Sequence, residues 1–301
     1  MKSTTKSAFV AIVGKPNVGK SSLLNALLGE KIAIVSSKPQ TTRTRIMGVL
    51  TEEELQLCFL DTPGFHKPHT KLSGHMNTVV TQSIGDVDLA LFLVEPMGAL
   101  NEEEQKLIEE FGRRKLPVIL VINKIDLVEK EQLLARIAEV GQLYDFLAVV
   151  PVSVTGRDGL DILMQELKTH TPEGPHYFPD DTLTDQPERI IAAEIIREKI
   201  LRNMRDEIPH GTAVTVEKMR ERENNPGLLD IDATIYCERD SHKGMIIGKG
   251  GQMLKKISSE ARLELESFLD TRVNLKCWIK VRDDWRNSES AIRSMGFKYE
   301  E

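Results

Sequence analysis

Short, nearly unbroken apolar runs recur through the first half of the chain: FVAIVG (9–14), LQLCFLD (55–61), LALFLVE (89–95), PVILVIN (117–123) and AVVPVS (148–153). Between them lie amphipathic stretches, notably 102–114 and 130–142, whose apolar positions return with helical spacing. Continuous apolar strands separated by helices predict a doubly wound, mainly parallel sheet, because both faces of each strand are then covered. On such a sheet ligands gather at the carboxyl ends of the strands. The pattern breaks between Thr171 and Pro187, where TPEGPHYFPDDTLTDQP has four prolines and no period, and this stretch is read as a linker. Beyond it come a helical run (189–205), strand-like HGTAVTVEKM, a turn at NNPG and strand-like LLDIDATIYCE. GMIIGKGGQMLKKI then leads into a helix ending near Leu269, followed by the strand VNLKCWIKV and a short tail helix. The order α-β-β-α-α-β predicts a second, smaller α+β domain. The expected organisation is 1–170, a linker 171–187, and 188–301.

Composition changes this picture little. The 301 residues, with 40% hydrophobic content, suit two folded domains. A net charge of −6 argues against coating nucleic acid by bulk charge, yet leaves room for a local basic patch. Three scattered cysteines, Cys58, Cys237 and Cys277, form no CxxC pair and fit a reducing cytoplasm. The polar start of the chain runs into FVAIVG without a signal-peptide core, and no run reaches the roughly 18 apolar residues of a membrane helix.

The strand ends carry the chemistry. After the first strand stand Gly14, Lys15, Pro16, Asn17, Val18, Gly19, Lys20 and Ser21, with Ser22 following into the helical run SLLNALLG. This is a phosphate loop in its proper strand–helix setting: glycines let backbone N–H groups turn towards phosphate oxygens at a helix N-terminus. Lys20 is expected on the β- and γ-phosphates and the Ser21 hydroxyl on Mg²⁺. Asp61, Thr62, Pro63 and Gly64 follow the strand LQLCFL, placing a metal-polarising carboxylate and a γ-phosphate N–H beside that loop. Asn123, Lys124, Ile125 and Asp126 end the strand VILVI. A carboxylate at Asp126 accepts from guanine N1–H and the exocyclic amine, a donor pair that adenine lacks. Asn123 either meets a base edge or ties its loop to the phosphate loop, while the Lys124 stem lies on the ring. Together these predict binding of GTP and GDP and hydrolysis of GTP, with Lys20 and Gly64 among the groups nearest the chemistry.

The set resembles the translation-factor-like GTPases. The resemblance implies that Ser153 and Val154 contact guanine through backbone N–H groups, with valine replacing the usual alanine. It also makes KPQTTRTR (38–45) the first switch, with Thr42 as the second Mg²⁺ hydroxyl and Thr41 as its alternative. Where Ras-type proteins carry a water-orienting glutamine, this chain has Phe65, so slow hydrolysis is expected. Relatives with an asparagine at Asn17 bind K⁺ beside the phosphates, which makes K⁺ a second expected cofactor.

In the second half, Ile247, Gly248, Lys249, Gly250 and Gly251 resemble the GxxG loop of type II KH domains, where small residues admit single-stranded nucleic-acid backbone to a helix N-terminus. Lys243, Lys255 and Lys256 flank it with no acidic residue in between. With GKPNVGKS, QTTRTR, DTPGFHKP, NKID, YFPDD, TDQPER and IGKGG in this order, the whole chain resembles the Era family of bacterial GTPases. That resemblance implies single-stranded RNA at the 3′ region of 16S rRNA as partner, a role in assembling the small ribosomal subunit, a monomer, and loose membrane association. Competing readings are a second domain that binds protein or membrane instead of RNA, an ATP-driven enzyme that shares only the phosphate loop, and a non-hydrolysing scaffold.

Overall fold

The structure is a computed structural model that describes residues 5–36, 38, 41–65, 67–68, 70–205 and 207–297. Its chain divides into two compact units. The first comprises Met1–Ala33, Thr42–Pro68 and Ser73–Asp185; the second comprises Ile34–Thr41, His69–Leu72 and Gln186–Glu301.

The first unit is built on a six-stranded sheet in the order β2-β3-β1-β4-β5-β6. Its strands are β1 (Lys6–Gly14), β2 (Ile46–Glu52), β3 (Leu55–Asp61), β4 (Leu89–Val94), β5 (Val118–Asn123) and β6 (Ala148–Val152). All neighbours pair in parallel except β2 with β3. The helices are α1 (Lys20–Leu28), α2 (Lys71–Gly85), α3 (Glu102–Arg114), α4 (Lys130–Gly141) and α5 (Leu160–His170). The period-two rule sends alternate residues of β1 to opposite faces. Val10 and Ile12 join Leu23, Leu24, Leu163 and Leu167 from α1 and α5, whereas Ala11 and Val13 join Val80, Leu107, Phe111 and Val140 from α2, α3 and α4. Helix α3 starts where local chemistry dictates. The Asn101 side chain accepts the Glu104 N–H at 2.8 Å and the Glu104 carboxylate accepts the Asn101 N–H at 2.9 Å, which satisfies two orphan donors.

Strand β2 was absent from the sequence expectation. It is the antiparallel edge, turned into β3 through Glu53 at φ 52, and its residues IMGVLTE are recognisable only by the pairing they make with β3. The segment read as a linker is strapped along this unit. The fully buried Gln56 accepts the N–H groups of Tyr177 and Phe178 at 2.7 and 3.0 Å. Val49 N–H reaches Leu183 O at 2.8 Å, and Ser7 N–H reaches Pro172 O at 3.2 Å.

In the second unit α6 (Glu188–Asn203) precedes β7 (Ala213–Glu221), β8 (Leu228–Cys237), α7 (Asp240–Ile247), α8 (Gln252–Phe268), β9 (Arg272–Val281) and a short α9 (Glu289–Ser294). The sheet runs β7-β8-β9, antiparallel and then parallel. Ile257, Ala261 and Leu265, four apart on α8, share one core with Ile191, Ile195 and Ile196 of α6 and with Ile231, Ala233 and Ile235 of β8. Trp285 is fully buried past β9, its indole N–H donating to Gly211 O at 2.9 Å. Helix α6 also buries charge: Glu198 accepts from Lys199 at 2.9 Å and from the Val35 N–H at 2.9 Å, and Arg197 donates to Thr41 O. Residues Ile34–Thr41 therefore count with this unit. Among the described residues no helix is long and apolar enough to cross a membrane.

Candidate functional site

Four of the parallel strands of the first unit, β1, β3, β5 and β6, end on motif residues, as their carboxyl termini demand. The turn after β1 needs glycine at two points. Gly14 sits at φ 147 with no room for a side chain, a Cβ there falling 2.4 Å from Leu93 O. Gly19 is left-handed at φ 106 and opens α1. Lys20 is buried and donates to Gly14 O at 3.0 Å and Lys15 O at 2.9 Å, which folds the loop around its ammonium group. Burial pushes that ammonium down to about 8, against the opposing pull of Asp61 and Glu104.

Three oxygen-bearing side chains from separate segments converge beside it. Ser21 Oγ donates to Asp61 Oδ2 at 2.6 Å, lies 2.8 Å from Thr42 Oγ1, and Thr42 donates to the same carboxylate oxygen at 3.3 Å. Asp61 is fully buried, its Oδ1 has no hydrogen-bond partner, and desolvation pushes its carboxyl up to about 6 against the effects of Lys20, Ser21 and Thr42. Hard oxygen donors around an orphaned buried carboxylate oxygen fit Mg²⁺. Of the two candidate threonines, Thr42 is the one that meets Ser21 and Asp61, whereas the Thr41 hydroxyl donates to Lys38 O at 2.6 Å. Pro39 and Gln40 of the same expected switch, and His66 of DTPGFHKP, lie outside the described residues. Thr62 donates its hydroxyl to Ile12 O at 2.9 Å, fixing the strand end. Gly64 closes against the phosphate loop, where a Cβ would stand 2.6 Å from Pro16 Cα. Phe65 N–H meets Gly14 O at 3.3 Å while its ring packs on the apolar face holding Phe92 and Phe111. No polar group of that side chain is available to hold a water.

Asn123 ties loops together rather than facing open space: Nδ2 donates to Val18 O at 2.8 Å and Oδ1 accepts the Val154 N–H at 3.3 Å. Lys124 adopts a left-handed φ of 71, which swings Ile125 and Asp126 into a short 3-10 turn. The Ser153 N–H is bonded to Asp158 O at 3.0 Å and the Val154 N–H lies 3.3 Å from Asn123 Oδ1. The Ser153 hydroxyl donates to Asp126 Oδ1 at 2.5 Å while accepting Gly156 N–H at 3.1 Å, and so holds the exposed Asp126 carboxylate. Asn17 is exposed at φ 62, in the left-handed region that asparagine tolerates.

In the second unit Ile247 ends α7, and Gly248, Lys249, Gly250 and Gly251 make the turn into α8, with Gly248, Gly250 and Gly251 at φ 71, 59 and 78. Gly248 is held by packing, since a Cβ would lie 2.7 Å from Met253 Cβ. Around Gly250 and Gly251 nothing lies within 4 Å of such an atom. Lys249, Lys255 and Lys256 are exposed and Lys243 half-buried on either side. An open backbone, a helix N-terminus and surrounding ammonium groups suit phosphate.

The matches to known proteins follow the same division. Residues 9–124 match the family model described as 50S ribosome-binding GTPase, and residues 207–286 match the KH domain model. A curated GTPase Era of Ruminiclostridium cellulolyticum is 52% identical over 97% of this chain and 98% of its own length, and one of Geobacter metallireducens is 51% identical with the same coverage. The chain belongs to the Era family of GTPases. The crystal structure of Aquifex aeolicus Era bound to GDP and AlF4⁻ superposes with a TM-score of 0.94 at 39% identity, covering 98% of this chain and all of that one. A structure of Era with MgGDPNP and nucleotides 1506–1542 of 16S ribosomal RNA agrees equally well, with the same score, identity and coverage. For an Era-family chain the doubly wound GTPase unit and the smaller α+β KH unit are thus the established architecture. Sequence reasoning passed over one residue: Glu95, at the end of the parallel strand β4, which carries no motif. Its carboxylate pairs with Lys15 and Lys124, and its signal was a charged residue closing an apolar run.

Proposed function

We propose that the chain binds GTP and GDP with Mg²⁺ between its strand ends, hydrolyses GTP slowly, and binds single-stranded RNA of the 3′ region of 16S rRNA through its KH loop. The observation that carries the nucleotide half is the meeting of Ser21, Thr42 and Asp61 within 3.3 Å of one another around a buried, half-unsatisfied carboxylate. Ser21, Thr42 and Asp61 would hold the metal, which when bound neutralises phosphate charge. Lys20 binds the β- and γ-phosphates, backbone N–H groups of the phosphate loop other than Pro16, which has none, serve the phosphate oxygens together with that of Gly64, and Asp126, aimed by Ser153, reads guanine. Phe65 offers the attacking water nothing, so turnover of the isolated protein is slow. K⁺ beside Asn17 would supply the missing positive charge at the phosphates.

The RNA half rests on the KH loop and its lysines, together with the relative crystallised with MgGDPNP and a 16S segment. It makes the protein a GTP-switched factor in small-subunit assembly, monomeric, cytoplasmic and loosely membrane-associated, with the GTPase part at 1–170 and the KH part at 188–301. Phosphate release from GTP and from ATP, each in Na⁺ and in K⁺, tests the nucleotide reading. The expected result is turnover of GTP only, faster in K⁺. Equal turnover of ATP overturns guanine selection, and equal rates in the two salts overturn the potassium site.

A further inference from the structure

Glu95 stands one residue beyond β4, the strand that lies between β1, which carries the phosphate loop, and β5, which carries the base loop. Its two oxygens are divided between those loops: Oε2 lies 2.5 Å from Lys15 Nζ and Oε1 lies 2.5 Å from Lys124 Nζ. Its backbone is held as well, because Arg136 of α4, only 5% exposed and paired with Glu139 at 2.8 Å, donates Nε to Glu95 O at 3.2 Å. Partial burial works against ionisation of this carboxyl, but the two ammonium groups outweigh it and hold it below the usual carboxylate range. A lysine gives up much rotamer freedom when it is ordered. A carboxylate that already fixes the Lys124 ammonium removes that loss from the binding step and lays the apolar stem in a defined direction.

We propose that Glu95 is a positioning residue for the guanine nucleotide: it clamps Lys124 to Lys15, so that the stem of Lys124 is in place over the base before the nucleotide arrives. This rests on the GTP reading of the site. It assigns Glu95 no contact with the nucleotide, so its effect must pass through the lysines.

Stopped-flow displacement of a fluorescent GDP analogue from the full chain measures the dissociation rate, and steady-state turnover separates KM from kcat. Glu95→Gln, nearly isosteric but uncharged, is expected to speed GDP release by about tenfold and raise KM for GTP by a similar factor, with the loss absent from kcat. In a Lys124→Met background the same change is expected to alter release less than about twofold, because two residues acting as one unit are non-additive. Glu95→Asp, which keeps the charge on a shorter arm, is expected to recover part of the loss. Unchanged release from Glu95→Gln, or a tenfold effect that persists without Lys124, would overturn the clamp. Tighter binding would overturn it too, by showing that the carboxylate only repels the phosphates. Failure of the parent protein to prefer GDP over ADP would instead remove the GTP reading itself.

Discussion

Gly250→Asp is the sharpest probe of the KH loop, and the structure explains why the neighbouring glycine is a poor one. At Gly248 a new Cβ would sit 2.7 Å from Met253 Cβ at φ 71, so any lost RNA binding there could come from a broken loop. Gly250 has φ 59 and ψ 24 with nothing within 4 Å of a Cβ. Aspartate tolerates the left-handed region better than most residues, and the residual backbone cost is about 1 kcal/mol. The α8 core of Ile257, Ala261 and Leu265 is untouched, so the domain stays folded. A carboxylate about 6 Å from an RNA phosphate is repelled by about 0.7 kcal/mol at the dielectric of water and by about 3 kcal/mol at a protein-surface value. The affinity should therefore fall by about 3- to 100-fold. Fluorescence anisotropy with labelled RNA of the proposed 16S segment, titrated at several salt concentrations, reads both affinity and salt slope. One lost phosphate contact shrinks the slope by about 0.7. Gly250→Ala serves as the control for backbone cost alone. An aspartate variant that remains folded, keeps its affinity within twofold and keeps the salt slope would show that RNA does not use this loop.

Two further outcomes follow from the nucleotide site. Asp126→Asn should shift preference from guanine towards xanthine, because an amide donates where the carboxylate accepted; an unchanged GTP-to-XTP ratio in competition binding would remove Asp126 as the base reader. The Asp61 carboxyl is raised to about 6 in the folded state from 3.8, so the folded protein holds its proton more tightly than the unfolded chain. Metal-free stability should therefore fall as pH rises from about 4 to about 6, by about 3 kcal/mol in all, and stay at that lower level above this window. Asp61→Asn should flatten that stretch of the chemical-denaturation profile, and an identical slope in the variant would refute it.

Most of the nucleotide site was legible because its motifs are contiguous and each closes a strand. A phosphate loop needs its glycines, lysine and serine in one local order, so GKPNVGKS announces itself. What stayed hidden depended on partners distant in sequence. Thr41 and Thr42 are chemically alike, and their placement in space separates them: Thr42 lies 2.8 Å from Ser21, whereas Thr41 donates to Lys38 O. The Ser153 side chain reaches Asp126 from another strand end, a contact between residues 27 apart that no local motif announces. Strand β2 has no pattern of its own strong enough to be read, since an edge strand takes its identity from the neighbour that pairs with it. The proline-rich stretch before α6 looked free because its anchor, Gln56, lies more than a hundred residues earlier. Gly248 looked like part of an open loop, whereas Met253 explains its lack of a side chain.

The two most perturbed ionisable groups of the first unit's nucleotide site sit side by side and disfavour the apo state. Lys20 is a buried ammonium driven down to about 8, and Asp61 is a buried carboxylate driven up to about 6 with one oxygen unpaired. Neither ionised group has enough compensation inside the protein to restore its ordinary value. Phosphate supplies the anion that Lys20 lacks, and a divalent cation supplies the charge that Asp61 lacks. A ligand that corrects both must bind the folded state in preference to the unfolded one, and so stabilises it by mass action. The strain lies at the mouth of β1 and β3, where the core beneath is dense enough to hold it: Val10, Ile12, Leu57 and Phe59 are completely buried. The same rigid sheet that keeps these charges out of water therefore also keeps the site shaped for the nucleotide.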